Sequence, residues 1–439
     1  MNSRLLLLGS ALLSLWFTTV PAALAQGITF TTNTYAAYGY PLTIADINGR
    51  GKPALIVANR SANTLTILTN NGGGLFGTNA TLTTGTDPVF VAAIDLYGNG
   101  LTNLISANDS GNSLTVFTNN GQGVFGSNTT LNVAISSPTC LAVLDVNGDG
   151  KSDLICANAG QNYLTEYLNN GSGTLVVNST IGLSSPQTYV IAADINGDGK
   201  PDLITASSTG NTLSVLTNNG SGGFVLSATL NAGGEPVGVV AVDVNGDGRP
   251  DLVCANYSGS SLTIFTNQGF GQFGSNAVIN VGALPSAVAT ADFNGDGKAD
   301  LVCSTEGLRN EVIIFTNNGG GIFSSNTSIA FTGDLVDVVT ADFNGDGFPD
   351  VAAASNTGIL VLTQVGLARP VLKIRHPSLN SVILTWVSTA TNFVVQTNNN
   401  LATTNWSLAN LTVTNVAVTN QGVTLSPIPP GKLFFRLQN

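Results

Sequence analysis

Seven copies of an aspartate-led loop recur along the chain at nearly constant spacing. They begin at Asp46, Asp95, Asp145, Asp194, Asp243, Asp292 and Asp342, so successive copies are 49 or 50 residues apart. Repeats of this length are typical of propellers and solenoids, in which each unit is one supersecondary structure that packs on its neighbours. The period therefore restricts the fold to a repeat architecture.

A second signature lies between the loops, where two β-type runs are joined by an Asn-Gly turn. It reads TLTILTNNGGGLF over residues 64–76 and SLTIFTNQGFGQF over residues 261–273. Each period also has a short apolar run before the aspartate loop and another after it, such as residues 237–242 and 252–255. Short strands with Gly and Asn between them, and no helical periodicity, indicate an all-β meander. Four strands per period correspond to one blade of a β-propeller.

The two ends of the repeat region predict how the ring closes. The seventh repeat has its aspartate loop and a following strand at 359–363, but it lacks the Asn-Gly turn and the strand after it. The segment 27–40 (GITFTTNTYAAYGY) aligns with the missing piece. We therefore predict a seven-bladed β-propeller over residues 26–368, in which one N-terminal strand completes the last blade and removes exposed sheet edges.

Five of the seven loops keep the full pattern DxNGDGxxD. Oxygen side chains at positions 1, 3, 5 and 9, with a backbone carbonyl at position 7, suit calcium, which takes 6 to 8 oxygen ligands. Magnesium is less suited, because it prefers near-octahedral sites with several bound waters. We predict about five Ca²⁺ ions, one per intact loop, and Asn-Gly and Asp-Gly turns without metal are the alternative. The predicted ligands are Asp145, Asn147, Asp149, Lys151 and Asp153; Asp194, Asn196, Asp198, Lys200 and Asp202; Asp243, Asn245, Asp247, Arg249 and Asp251; Asp292, Asn294, Asp296, Lys298 and Asp300; and Asp342, Asn344, Asp346, Phe348 and Asp350.

The first two loops have lost ligands and are predicted to be metal-free. The first has Arg50 at position 5 and Ala54 at position 9, and the second has Tyr97, Asn99 and Asn103 beside its leading aspartate. The charge balance agrees with a cation partner, because only 9% of residues are charged and the net charge is -11. A chain of this charge lacks the basic surface that nucleic acid or anionic lipid requires.

The N-terminal segment has the three regions of a secretory leader. Arg4 precedes an apolar run over residues 5–20, and Ala23, Leu24 and Ala25 form a small-residue cleavage site. We predict a signal peptide over residues 1–25, and a mature protein that is secreted or at the cell surface. It is not expected to span a membrane after leader removal, since no later segment has about 20 apolar residues.

The four cysteines raise the question of disulfides in an exported protein. Cys156, Cys254 and Cys303 occupy equivalent strand positions in separate repeats, which are too far apart to bridge. We expect small buried β residues, and Cys140 with Cys156 is the one pair that remains open to bridging.

The repeats resemble the FG-GAP/VCBS family, the propeller at the head of integrin α chains and in many secreted bacterial proteins. The resemblance rests on Phe76-Gly77, Phe125-Gly126 and Phe273-Gly274, each followed by an aspartate loop, and it extends over about residues 27–368. It implies calcium at the five intact loops and extracellular recognition or adhesion. After Pro370 the period stops, and residues 371–439 contain short runs with the alternating pattern of β-strands, which suggests a small β-sandwich. The segment resembles fibronectin-like modules, chiefly through Trp386 and Trp406.

Whether the chain is an enzyme stays uncertain, and a binding function is favoured. His376 is the only histidine and lies outside the propeller, so a Ser/His/Asp set cannot form there. A recognition platform for an extracellular glycan or protein is the preferred interpretation. A polysaccharide lyase or hydrolase and a structural surface component are the alternatives. Glycan binding predicts exposed aromatic residues at the ring mouth, for which the candidates are Tyr97, Tyr163, Tyr167 and Tyr257.

Overall fold

The structure is a computed structural model of the chain. It describes residues 28–365, apart from 38, 40, 132–135 and 308, together with the backbone of isolated strands in the two flanking segments. The chain divides into two compact units, of which Gly27–Gln364 is one and Met1–Gln26 with Val365–Asn439 is the other.

Gly27–Gln364 forms seven four-stranded antiparallel sheets, and these are the blades of a β-propeller. In blades 1 to 6 the strands pair in chain order, as expected for a meander. Their bounds are Leu42–Ala45, Ala54–Asn59, Thr64–Asn70 and Phe76–Thr83 in blade 1; Pro88–Ile94, Asn103–Asn108, Ser113–Asn119 and Phe125–Leu131 in blade 2; Pro138–Leu144, Asp153–Asn158, Tyr163–Asn169 and Leu175–Gly182 in blade 3; Tyr189–Ala193, Asp202–Ser207, Thr212–Asn218 and Phe224–Asn231 in blade 4; Pro236–Val242, Asp251–Asn256, Ser261–Gly269 and Gln272–Asn280 in blade 5; and Leu284–Ala291, Asp300–Glu306, Glu311–Asn317 and Phe323–Ala330 in blade 6. A 3₁₀ turn at Arg60–Ala62 is the one helical element among the described residues.

Blade 7 is closed by the N-terminal strand, which confirms the prediction from the repeat ends. Its first three strands are Leu335–Ala341, Asp350–Ser355 and Gly358–Gln364. The fourth is Phe30–Tyr35, which pairs antiparallel with the third over six residues, from Phe30 opposite Gln364 to Tyr35 opposite Ile359. On the other side of the closure, Asp337 Oδ2 accepts a hydrogen bond from the N–H of Leu42 in blade 1 at 2.8 Å.

The hydrophobic core lies between the blades rather than in one central cluster. Among the described residues there are seven apolar clusters, and each contains residues from two neighbouring blades. The second strand of every blade is buried at all or nearly all positions, as in Ala54–Asn59, because both faces of its sheet are covered. The fourth strands are largely exposed, and in Phe76–Thr83 the half-buried positions alternate with exposed ones toward the end of the strand.

The flanking unit contains short strands whose backbone alone is described. Leu5–Leu8 pairs with Ala11–Ser14, while the C-terminal strands are Lys373–Ser378, Ser381–Val387, Val394–Asn398, Ser407–Leu408, Val413–Ala417, Asn420–Leu425 and Phe434–Gln438. The C-terminal strands form one four-stranded and one three-stranded sheet. The fibronectin-like sandwich stays a prediction, and the predicted cleavage site after Ala25 lies outside the described residues. No helix in the described part of the chain has the length and apolar character needed to cross a membrane.

All four cysteines are buried and free, so Cys140 and Cys156 are not bridged. Cys156 lies opposite Leu141 in the sheet, whereas Cys140 lies opposite Ala157. Because side chains alternate along a strand, the two cysteines point to opposite faces of blade 3, and they belong to different core clusters.

We expect all four thiols to be unreactive in the folded protein. Burial raises the pKa of Cys140 to about 12 and raises the pKa of the other three, so the reactive thiolate is scarce at neutral pH. Titration with a thiol reagent without reductant should find none reactive in native buffer and all four in denaturant. Fewer than four in denaturant would contradict the free-thiol state, and a reduced sample provides the control.

Candidate metal centres on one face of the ring

The aspartate loops of all seven blades lie on one face of the ring. Each loop joins the first strand of a blade to the second, and in blades 1 to 6 the Asn-Gly turn joins the third strand to the fourth. In an antiparallel meander these two connections fall at the same end of the sheet. We call the end that carries them the loop face. The five intact loops belong to blades 3 to 7 and are therefore consecutive around it.

The first aspartate of each loop shapes the loop around its carboxylate. Asp145 Oδ1 accepts a hydrogen bond from the N–H of Gly148, and Oδ2 accepts one from the N–H of Gly150, both at 2.8 Å. The two glycines have φ of 77° and 82°, in the left-handed region where a side chain is disfavoured. The bond to the N–H of position 6 recurs in every other loop, at Asp46, Asp95, Asp194, Asp243, Asp292 and Asp342. The position-1 aspartate therefore closes the loop through the same hydrogen bond in the intact and the decayed copies.

Position 7 brings a basic side chain close to the position-5 carboxylate in four intact loops. The nitrogen–oxygen distances are 2.9 Å for Lys151–Asp149, 3.8 Å for Lys200–Asp198, 3.3 Å for Arg249–Asp247 and 3.5 Å for Lys298–Asp296. The hydrogen bond from Lys151 lowers the pKa of Asp149. The sequence pattern had assigned position 7 a backbone carbonyl only. Exposed ion pairs of this kind contribute little, so they compete weakly with a divalent ion.

The position-9 aspartates are buried and hold each blade together. In blade 6, Asp300 Oδ2 accepts the N–H of Phe293 in the loop at 3.0 Å, and Oδ1 accepts the N–H of Asn317 in the third strand at 2.7 Å. Both bonds recur at Asp153, Asp202, Asp251 and Asp350. Desolvation raises the pKa of all five carboxyls, to about 6 for Asp300 and Asp350. The predicted closing ligand is thus also a structural residue.

A ring of side-chain hydrogen bonds joins the blades on the loop face. A side-chain amide at or near the end of each third strand donates from its nitrogen to the position-2 carbonyl of the preceding blade, as Asn267 does to Ile195 at 2.8 Å. The bond occurs at all seven interfaces, with donors Asn70, Asn119, Asn169, Asn218, Asn267, Asn317 and Gln364. The repeat pattern did not predict this bond. The available signal was the first asparagine of each Asn-Gly turn, which also fits an ordinary turn residue.

The donor set of the intact loops fits calcium. Each loop supplies three carboxylates, one amide oxygen and one backbone carbonyl, all of which are hard oxygen ligands. The position-1 and position-9 carboxylates already accept backbone hydrogen bonds. The position-1 Oδ2 atom accepts one such bond in each intact loop, so it has a second lone pair for a cation. Within the described residues, no three His, Cys, Asp or Glu side chains converge closely enough to hold an ion. The assignment of calcium to these loops therefore rests on the chemical type of the ligands and on their order along the chain.

The candidate aromatic residues do not form one cluster. Tyr167 is fully buried, so the expectation that it is exposed was wrong. Tyr97 lies on the loop face and is 40% exposed. Tyr163 begins a third strand and Tyr257 follows a second strand, so both belong to the opposite face.

These features define the class of protein, which is a seven-bladed β-propeller that carries its aspartate loops on one face. The chain belongs to the family described as FG-GAP-like repeat, whose model matches six overlapping segments that together cover more than half of the chain. The segments are 46–106, 95–156, 145–205, 194–254, 243–303 and 292–353. Each begins at the first aspartate of one loop and extends through the next loop, so the six contain all seven loops.

Solved structures share the fold at low sequence identity. BBS1N in complex with ARL6DN, in crystals soaked with lead, has 13% identity and a TM-score of 0.56, covering 77% of this chain and 97% of that chain. Sqt1 from Saccharomyces cerevisiae has 11% identity and a TM-score of 0.53, covering 77% and 98%. A functionally unknown protein from Desulfotomaculum acetoxidans has 14% identity and a TM-score of 0.50, covering 71% and 94%. Among curated proteins, none matches the sequence.

Proposed function

We propose that this protein is a secreted, calcium-loaded β-propeller that serves as a recognition or adhesion platform for an extracellular glycan or protein. The observation that carries the proposal is the presence of five consecutive loops with a complete calcium donor set on one face of a closed ring. Calcium would hold the position-5 and position-9 carboxylates of each loop together. The face would then be rigid, as a binding surface built from loops requires.

The charge of the chain supports the calcium component. Fifteen of the 25 Asp and Glu residues lie in the five intact loops, and the net charge is -11. Clustered carboxylates repel one another and raise each other's pKa unless a cation balances them. Five divalent ions would bring the chain close to neutral.

The partner and the location of the protein rest on two further observations. The apolar run and small-residue site in residues 1–25 support export through a signal peptide. BBS1N, a propeller of similar fold, was solved in complex with ARL6DN, which supports a protein partner for the ring.

The metal stoichiometry of loop variants tests the proposal. Metal analysis of the mature chain, dialysed against trace calcium, should find about five ions per chain, the number of intact loops. Asp247→Ala should remove one ion, because it deletes the position-5 ligand of blade 5. Asn99→Ala changes the same position in the decayed loop of blade 2 and should remove none. A chain without bound calcium, or equal loss in both variants, would overturn the calcium assignment.

A further inference from the structure

The hairpin between the third and fourth strands of blade 5 differs from those of the other blades. Its strands, Ser261–Gly269 and Gln272–Asn280, have nine residues each, while the corresponding strands of blades 1 to 4 and 6 have seven or eight. Gly269 pairs with Gln272, so Phe270 and Gly271 alone form the turn. Their φ values are 54° and 71°. Positive φ at both central residues is the geometry of a type I′ turn, which favours Asn and Gly.

Phe270 is an unfavourable residue for this turn and gains nothing from packing. A bulky side chain at positive φ is a conformational outlier, and the side chain of Phe270 is 90% exposed. The equivalent residues in the other turns are Gly73, Gln122, Ser172, Ser221 and Gly320. Since neither the turn nor the core requires a phenylalanine here, the unfavourable backbone conformation of Phe270 points to a functional role for its ring.

Phe270 forms one wall of a groove of about 460 Å³ on the loop face. Thr217 and Val225 of blade 4 continue the apolar lining. The polar lining comes from Asn196, Asp198 and Asn219 of the same blade. The Oδ1 atoms of both asparagines accept hydrogen bonds from their own loops, whereas their Nδ2 groups make none to another described residue.

The lining selects the chemical class of the ligand. An aromatic ring beside aliphatic groups suits the C–H face of a sugar ring, and amide N–H donors suit its hydroxyl groups. The lining has no basic side chain that would bind an anionic group. A protein partner of ordinary affinity needs about 800 Å² of contact on each side, and the turn tips around the groove are mainly Asn, Gly and Ser.

We propose that this groove binds a neutral, hydroxyl-rich pyranose oligosaccharide, with Phe270 as the stacking platform and Asn219 as a hydrogen-bond donor. The inference rests on the recognition part of the proposed function and names the ligand class. Its main determinant, Phe270, lies outside the predicted calcium ligands, so the two proposals can be tested separately.

Binding of neutral oligosaccharides by matched variants tests the groove. The calcium-loaded mature chain is applied to an array of neutral glucan, xylan, mannan and galactan oligosaccharides, and the best ligand is titrated by calorimetry. Phe270→Asn should weaken binding at least tenfold, about 1.4 kcal/mol. Its melting temperature should be unchanged or higher, because Asn suits the turn. Leu75→Asn, which replaces another exposed apolar residue on the loop face, should bind like the wild type.

Two results would overturn the inference. The first is wild-type chain that binds no neutral oligosaccharide in the millimolar range. The second is Phe270→Asn binding as tightly as the wild type. In either case a five-ion stoichiometry, or a protein ligand bound elsewhere on the ring, would leave the proposed function standing. Absence of calcium would contradict that function whatever the behaviour of Phe270.

Discussion

Removing calcium from the mature chain lowers its melting temperature by about 10 °C or more, on the proposal that five loops are loaded. A ligand that binds only the folded state at a hundred times its Kd stabilises that state by about 2.7 kcal/mol per site. Five sites therefore contribute a large fraction of the stability of a domain this size. Without the ion, the three carboxylates of each loop repel one another, and the position-9 carboxylate stays desolvated without a cation beside it.

Scanning calorimetry in excess calcium, in excess magnesium and in chelator measures this effect. Calcium should give the highest melting temperature, and magnesium a smaller rise, because magnesium demands near-octahedral geometry and gives up its bound waters reluctantly. Asp247→Ala should lose part of the calcium-dependent rise and Asn99→Ala should keep all of it. Identical transitions in calcium and chelator would contradict the loaded state.

Deleting the N-terminal strand destabilises the propeller by about 5 kcal/mol or more, which is comparable to the stability of many whole domains. Phe30–Tyr35 supplies the outer strand of blade 7, and its half-buried Phe30 and Tyr35 pack against the core clusters shared with the two neighbouring blades. The rings of Phe30 and Phe293 lie 6.4 Å apart, and those of Tyr35 and Phe76 lie 5.7 Å apart. The N–H of Phe76 in blade 1 also donates to the Tyr35 hydroxyl at 3.1 Å. Loss of the strand would expose the edge of Gly358–Gln364.

A chain that begins at residue 36 should unfold at much lower denaturant concentration than one that begins at residue 27. A synthetic peptide of residues 27–37 should restore part of the difference, because the strand pairs through backbone hydrogen bonds that need no covalent link. A peptide of the same composition in scrambled order is the control. Equal stability of the two chains would show that the ring does not depend on this closure.

Much of the fold could be predicted because the same constraint is repeated seven times. Each blade is covered on both faces, so its second strand must be apolar along its length, as in residues 252–255. A pattern that recurs every 49 or 50 residues is hard to mistake for chance. The closing strand was predictable for the same reason, since a repeat that lacks one strand requires that strand elsewhere in the chain.

Several roles could not be predicted because they depend on which residues of different strands meet. The position-9 aspartates match a metal motif in sequence, yet in the fold Asp300 also bonds the N–H groups of Phe293 and Asn317. Tyr167 was a candidate surface aromatic, but its strand lies against blade 2 and buries it. The opposite directions of Cys140 and Cys156 follow from strand register, which spacing along the chain does not specify.

The number of blades, the closure of the ring and the positions of the candidate calcium ligands could be read from the chain, because they follow from local patterns and their repetition. How the blades are joined and where the candidate groove lies became visible only in the folded ring. The bond from Asn267 to Ile195 spans 72 residues, and the groove combines Phe270 with side chains of blade 4. Contacts of this kind form only when neighbouring blades pack, so no single repeat encodes them.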